Sequence, residues 1–206
     1  LDELYLKPNA GVISEQVSTL REAVALYMEE YKKSTKIEID PTELIESPKL
    51  LKKLPDTLNI EEIEKILSSI ELNSFEGLRN RAIIETLYSC GIRVSELINL
   101  TFQNLFLDIG FIKVMGKSSK ERLVPIGKSA IKYIKKYNDQ FRNEIKIKEG
   151  NEGYLFLNRR GSKISRNMIF IIVKNISKKI FPNKKVSPHA FRHSFATHMV
   201  EGGADL

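Results

Sequence analysis

Phe111-Ile-Lys-Val-Met-Gly-Lys-Ser-Ser-Lys-Glu-Arg-Leu-Val-Pro125 is where this sequence changes period. Residues 111–115 and 121–125 alternate about every second position, and Gly116-Lys-Ser-Ser-Lys120 between them has the composition of a turn. The segment therefore reads as two antiparallel strands, with Leu105-Phe-Leu107 as a third short strand upstream. A nucleotide-binding P-loop is the competing reading, because Gly110, Gly116, Lys117 and Ser118 stand in roughly the right order. That loop needs four residues between its glycines and must open a helix. Here five residues intervene and the chain continues as a strand, so the ATPase reading is rejected.

On both sides of this sheet the period is helical. Ser14 to about Lys33 repeats Val17, Leu20, Val24 and Tyr27 or Met28. Asn59 followed by Glu61 and Glu62 is a capping signal for a helix carrying Ile63, Ile66, Leu67 and Ile70. Phe75 to Ser89 forms another helix, ended by Gly91, and Val94 to Leu100 forms a short one. Helical spacing returns from Lys128 to about Lys148, followed by a short strand at Tyr154–Leu157 and a helix from Ser165 to Ile180. Ser187 and Pro188 start a last helix that Gly202-Gly203 stops. The expected fold is mainly α with a small three-stranded antiparallel sheet. Three prolines between residues 35 and 55, and a change in charge sign, put a boundary near residues 46–56.

The 206 residues are 42% hydrophobic and 29% charged, enough for a folded core. The net charge is +7, and it is uneven: between Lys113 and Arg192 stand 21 basic and 5 acidic residues. Such a surplus calls for a polyanionic partner, nucleic acid before membrane. One cysteine, Cys90, excludes a disulfide framework. No apolar run is longer than the six residues of Met168–Val173, and no signal peptide opens the chain, so a cytoplasmic location is expected.

Three places hold residues able to carry chemistry. On the last helix His189, Arg192 and His193 share a face, with His189 and Arg192 one turn apart. A guanidinium grips two phosphate oxygens, and an imidazole donates or relays a proton near neutral pH. Ordinary surface residues would show the same spacing. Phe191, Phe195, His198 and Met199 fall on an apolar face, which puts His198 in the core. Arg93 follows Gly91 at a helix junction among Ile92, Val94 and Leu97. Buried there, it needs an acidic partner or a ligand phosphate, and Glu96 is one turn away. The hairpin turn presents Lys117, Lys120 and Arg122 for reaching a backbone phosphate or base edge. The three histidines lie within ten residues of one helix, without HExxH or an acidic cluster, which argues against a metal centre. A phosphoryl-transfer site built this way would stabilise its transition state with protein cations alone.

The strings Gly91-Ile-Arg-Val-Ser-Glu-Leu97, Gly116-Lys-Ser-Ser-Lys-Glu-Arg-Leu-Val-Pro125 and Ser187-Pro-His-Ala-Phe-Arg-His-Ser-Phe-Ala-Thr-His198 resemble the tyrosine recombinases. The likeness is to the bacterial Xer branch in particular; it continues through Gly202–Leu206 and covers residues from about 40 to the end. It implies a site-specific recombinase that cuts and rejoins DNA through a 3′-phosphotyrosyl link, without cofactor, metal or ATP. Arg93 and Arg192 would clamp the scissile phosphate, His189 would assist proton movement, and Lys117 would protonate the leaving 5′-oxygen. Lys120, Arg122, Lys163 and Arg166 are candidate DNA contacts.

By the same resemblance, residues 1–46 are the end of an all-α DNA-clamping domain, 47–56 a linker and 57–206 the catalytic domain. The family's nucleophilic tyrosine falls beyond Leu206, and all seven tyrosines present precede the His189 helix. The chain is therefore expected to be a recombinase trimmed at both ends, able to bind but not cut DNA as it stands. Its expected partners are a double-stranded recombination site, a homo- or hetero-tetramer of subunits and an activating protein. The alternatives are a catalytically inactive DNA-binding module that only occupies recombination sites, and a generic basic nucleic-acid-binding protein.

Overall fold

The computed structural model describes residues 57–116 and 120–204, together with helical positions 26, 27, 29, 30 and 33. Those five positions agree with the helix expected over 14–33; the proline-rich stretch after it lies outside the described residues. Residues 53–206 form one compact unit, and residues 1–52 another.

In the larger unit α1 spans Ile60–Ser68. Asn59 accepts from the Glu62 N–H at 2.8 Å, while Glu62 accepts from the Asn59 N–H at 3.0 Å. This reciprocal cap is the one the sequence signals. Next comes α2, Phe75–Cys90, the central helix, with ten of its residues buried, among them Leu78, Ile83, Ile84 and Leu87. Its C-cap is Gly91 at φ 55°, a left-handed conformation that glycine enters without strain. The reversal lets α3, Val94–Ile98, start only three residues later, with Arg93 as N-cap.

The sheet has strand order β1-β2-β3: Leu105–Phe106, Phe111–Met115 and Glu121–Pro125, all antiparallel. Ile112 and Val114 are buried, and the residues opposite them in β3 are Val124 and Arg122. So Arg122 belongs to the inward row.

Lys128–Gln140 forms α4, which packs Ala130, Ile134 and Tyr137 into the core beside α2. It ends eight residues earlier than its spacing suggests. Arg142 turns inward to donate to the Glu152 and Tyr154 carbonyls at 2.6 and 2.8 Å, with its guanidinium over the Phe102 ring. Satisfying those loop carbonyls takes the chain out of the helix. Tyr154–Leu157 is not a strand either: only the isolated bridges Thr101↔Tyr154 and Leu157↔Lys163 form.

Arg166–Ile180 is α5, capped by Ser165, and Pro188–Glu201 is α6. Pro188, Ala190, Phe191 and Ser194 are buried in α6, and Ser194 Oγ accepts the Leu58 N–H at 2.7 Å. Two expectations for this helix need correcting. Met199 is exposed, and His198 is half-buried at the stripe's edge rather than in the core, its Nδ1 2.9 Å from the Tyr88 hydroxyl. The helix's inward stripe runs through Ser194, a polar position that an apolar count passes over. Among the described residues no helix is long and apolar enough to cross a membrane.

Candidate nucleic-acid interface

The reversal at Gly91 positions the site. Its carbonyl oxygen accepts a hydrogen bond from Arg192 Nη1, which fastens the second turn of α6 to the end of α2. Phe195, one turn further along α6, covers Gly91 so closely that an added Cβ would lie 2.2 Å from its Cδ1. Arg192 therefore reaches a point two residues from Arg93.

Glu96 lies at the centre, with its side chain 3% exposed. Four donors converge on its carboxylate. Arg122 donates from Nη1 to Oε1 at 2.9 Å and from Nη2 to Oε2 at 3.0 Å. The Arg93 backbone N–H reaches Oε2 at 2.8 Å, and Arg93 Nη1 reaches Oε1 at 3.3 Å. Burial pushes this carboxyl upward, but the bonds from Arg122 and the Arg93 N–H, with both guanidinium charges, hold it below its ordinary value. Burial also lowers Arg192, and the positive charges of Arg93 and Arg122 lower it further, against the attraction of Glu96. Three guanidiniums thus feel one another around a single carboxylate, leaving an excess of positive charge that suits a phosphate oxyanion.

The structure brings Arg93, Arg192 and Arg122 together; the other expected residues stand as follows. Arg93 is not buried at its junction: its side chain is 52% exposed, with Glu96 as partner. His189 is exposed at the start of α6, its ring tilted toward Phe170 at 6.2 Å between centroids. Lys117 lies outside the described residues. Lys120 is exposed at the hairpin base, where its carbonyl accepts the Gly116 N–H at 2.9 Å. Arg122 keeps its side chain 40% exposed, and both its terminal nitrogens are bonded to Glu96. Lys163 is likewise engaged, donating to Asn99 Oδ1 with its ammonium 4.4 Å from the Tyr154 ring centroid. Arg166 is exposed as the first residue of α5.

Sequence reasoning missed that Glu96 and Arg122 form the hub. Strand parity carried the signal, because Arg122 shares its parity with Val124 and not with the outward Leu123. Among the described residues no cluster of three His, Cys, Asp or Glu is placed to hold a metal ion.

Residues 56–206 match the phage integrase family. The chain is 46% identical over 167 residues to the tyrosine recombinase XerD of Staphylococcus aureus, covering 81% of this chain and 56% of that protein. XerD of Staphylococcus haemolyticus is 43% identical over the same length and shares. The chain thus spans little more than half the length of these curated relatives. A XerH site-specific recombinase bound to its palindromic difH substrate superposes with a TM-score of 0.63 at 30% identity, covering 74% of this chain and 44% of that one. A Tn1549 transposon integrase shares the fold, with a TM-score of 0.67 at 19% identity over 90% of this chain and 66% of that one.

Proposed function

Since the chain belongs to the phage integrase family, as a tyrosine recombinase of the Xer type, we propose that it is the phosphate-gripping part of a site-specific DNA recombinase. Arg93 and Arg192 hold the non-bridging oxygens of one scissile phosphate. The bond from Arg192 to the Gly91 carbonyl, two residues from Arg93, is the observation that carries this reading. A tyrosine hydroxyl attacks the phosphorus; the new O–P bond forms as the bond to the 5′-oxygen breaks. Lys117 gives that oxygen its proton, and His189 assists proton movement at the phosphate. A 5′-hydroxyl from a second duplex reverses the step, so bond energy is conserved. Developing charge is met by fixed cations in place of a metal ion.

Residues 57–206 act as the catalytic domain, residues 1–46 as the end of a clamping domain and 47–56 as the linker. Lys120 and Arg166 contact the DNA backbone. The working unit is a tetramer on two duplexes in the cytoplasm, with an activating protein partner. Its task is chromosome-dimer resolution during partition and cell division, or integration of a mobile element. The test is incubation of the gene product carrying these residues with a nicked suicide duplex containing its selected binding site. A covalent protein–DNA adduct that survives denaturant is expected. Tight binding without an adduct would instead establish an inactive, site-occupying protein.

A further inference from the structure

Arg122 is not one of the phosphate ligands named above, yet it makes a bidentate ion pair with Glu96. We propose that Arg122 is a positioning residue: by occupying Glu96 it keeps the Arg93 guanidinium available to an anion. The inference rests on Arg93 being a phosphate ligand.

The argument is competition for one carboxylate. Glu96 is buried, and a buried charge pairs with whatever cation reaches it. A carboxylate has about four acceptor sites, and Arg122 takes two of them at 2.9 and 3.0 Å. The Arg93 backbone N–H takes a third at 2.8 Å, which fixes the carboxylate within reach of Arg93's own side chain. That guanidinium obtains only a 3.3 Å contact and stays half exposed, with no other hydrogen-bond partner among the described residues. Remove Arg122 and the nearest replacement is Arg93, which would close onto Glu96 and withdraw from the ligand.

Two features of the hairpin serve the arrangement. Arg122 sits on the inward row of β3, opposite buried Val114, so the strand aims it at α3. Gly116 leaves the guanidinium room: an added Cβ would stand 3.2 Å from Arg122 Nη1.

Cleavage of the suicide duplex by the gene product is measured at saturating DNA for R93A, R122A, E96Q and R122A/E96Q, with duplex affinity and melting temperature alongside. R122A is expected to cleave at least about tenfold more slowly, a loss confined to the chemical step. Its duplex affinity should stay within about threefold, because affinity is spread over many phosphates. Adding E96Q should then restore cleavage. Glutamine keeps the cap on the Arg93 N–H but carries no charge to hold the guanidinium.

A residue that merely ties β3 to α3 predicts the opposite, a double variant no faster than R122A. That result, or wild-type cleavage by R122A, overturns the proposal. Wild-type cleavage by R93A is a separate outcome: it removes the underlying reading whatever Arg122 does, and the proposal with it. If the melting curve shows R122A unfolded, R122K against R122K/E96Q makes the same comparison, since lysine covers only one oxygen and should give a smaller loss with the same recovery.

Discussion

Replacing Gly91 with alanine strikes the joint on which the site depends. At φ 55° the residue is in the left-handed region, where a Cβ costs about 1 kcal/mol. The new methyl would also stand 2.2 Å from Phe195 Cδ1 and 2.7 Å from Cε1. Overpacking of that kind costs about 1–3 kcal/mol. Together the two give about 2–4 kcal/mol, which in a domain of this size lowers the melting temperature by roughly 4–16 °C. Thermal unfolding followed by circular dichroism measures it, for G91A in the wild-type and F195A backgrounds. Without the Phe195 ring only the backbone cost should remain, so G91A should cost about 1–3 kcal/mol less there. A G91A protein melting within about 2 °C of wild type would refute the reasoning, as would an equal cost in both backgrounds.

Burial pushes the Cys90 thiol up to about 11 despite its contact with Ser89, so iodoacetamide should leave the native protein untouched near pH 8 and modify it fully in guanidinium. Modification of the native form at the rate of a free thiol would contradict this. Glu96 and Glu62 respond to acid. In each, burial raises the carboxyl, but bonded cations (Arg122 and Arg93 for Glu96, Lys184 for Glu62) outweigh it and leave it below its ordinary value. A depressed folded value means stability that is present above about pH 4.3 and lost as pH falls through the still lower folded value. The stability gap between wild type and E96Q or E62Q should therefore be widest near neutral pH and close in acid; a gap constant with pH would show that these carboxylates are not ion-paired.

Much of this architecture was readable before any coordinates. The Asn59 cap, the glycine stop after α2, the Ser187-Pro188 start of α6 and the hairpin's period are local signals, and each formed where expected. The failures share a cause, which is that contacts distant in sequence decided the outcome. Arg142 could not be recognised as the residue ending α4 without its carbonyl partners at Glu152 and Tyr154. The Tyr154–Leu157 segment had a strand's composition but no continuous neighbour to pair with. Ser194 carries no apolar signal of its burial, because its partner, the Leu58 N–H, is 136 residues away. At the site, the order Arg93, His189, Arg192 was legible as a resemblance. The joining of Arg192 to the Gly91 carbonyl was not, since a main-chain acceptor leaves no mark in the side-chain pattern. The pairing of Arg122 with Glu96 was not legible either, because it shows only when strand parity is weighed against a buried carboxylate one element away.

The central claim is that Arg93 and Arg192 act on the same phosphate. A double-mutant cycle on cleavage rate at saturating DNA, comparing R93A, R192A and R93A/R192A with the unaltered gene product, tests it directly. Residues that work as one unit give strongly non-additive losses, so the double variant should cleave little more slowly than the worse single. If the two losses multiply instead, the arginines act independently and the shared-anion account is wrong.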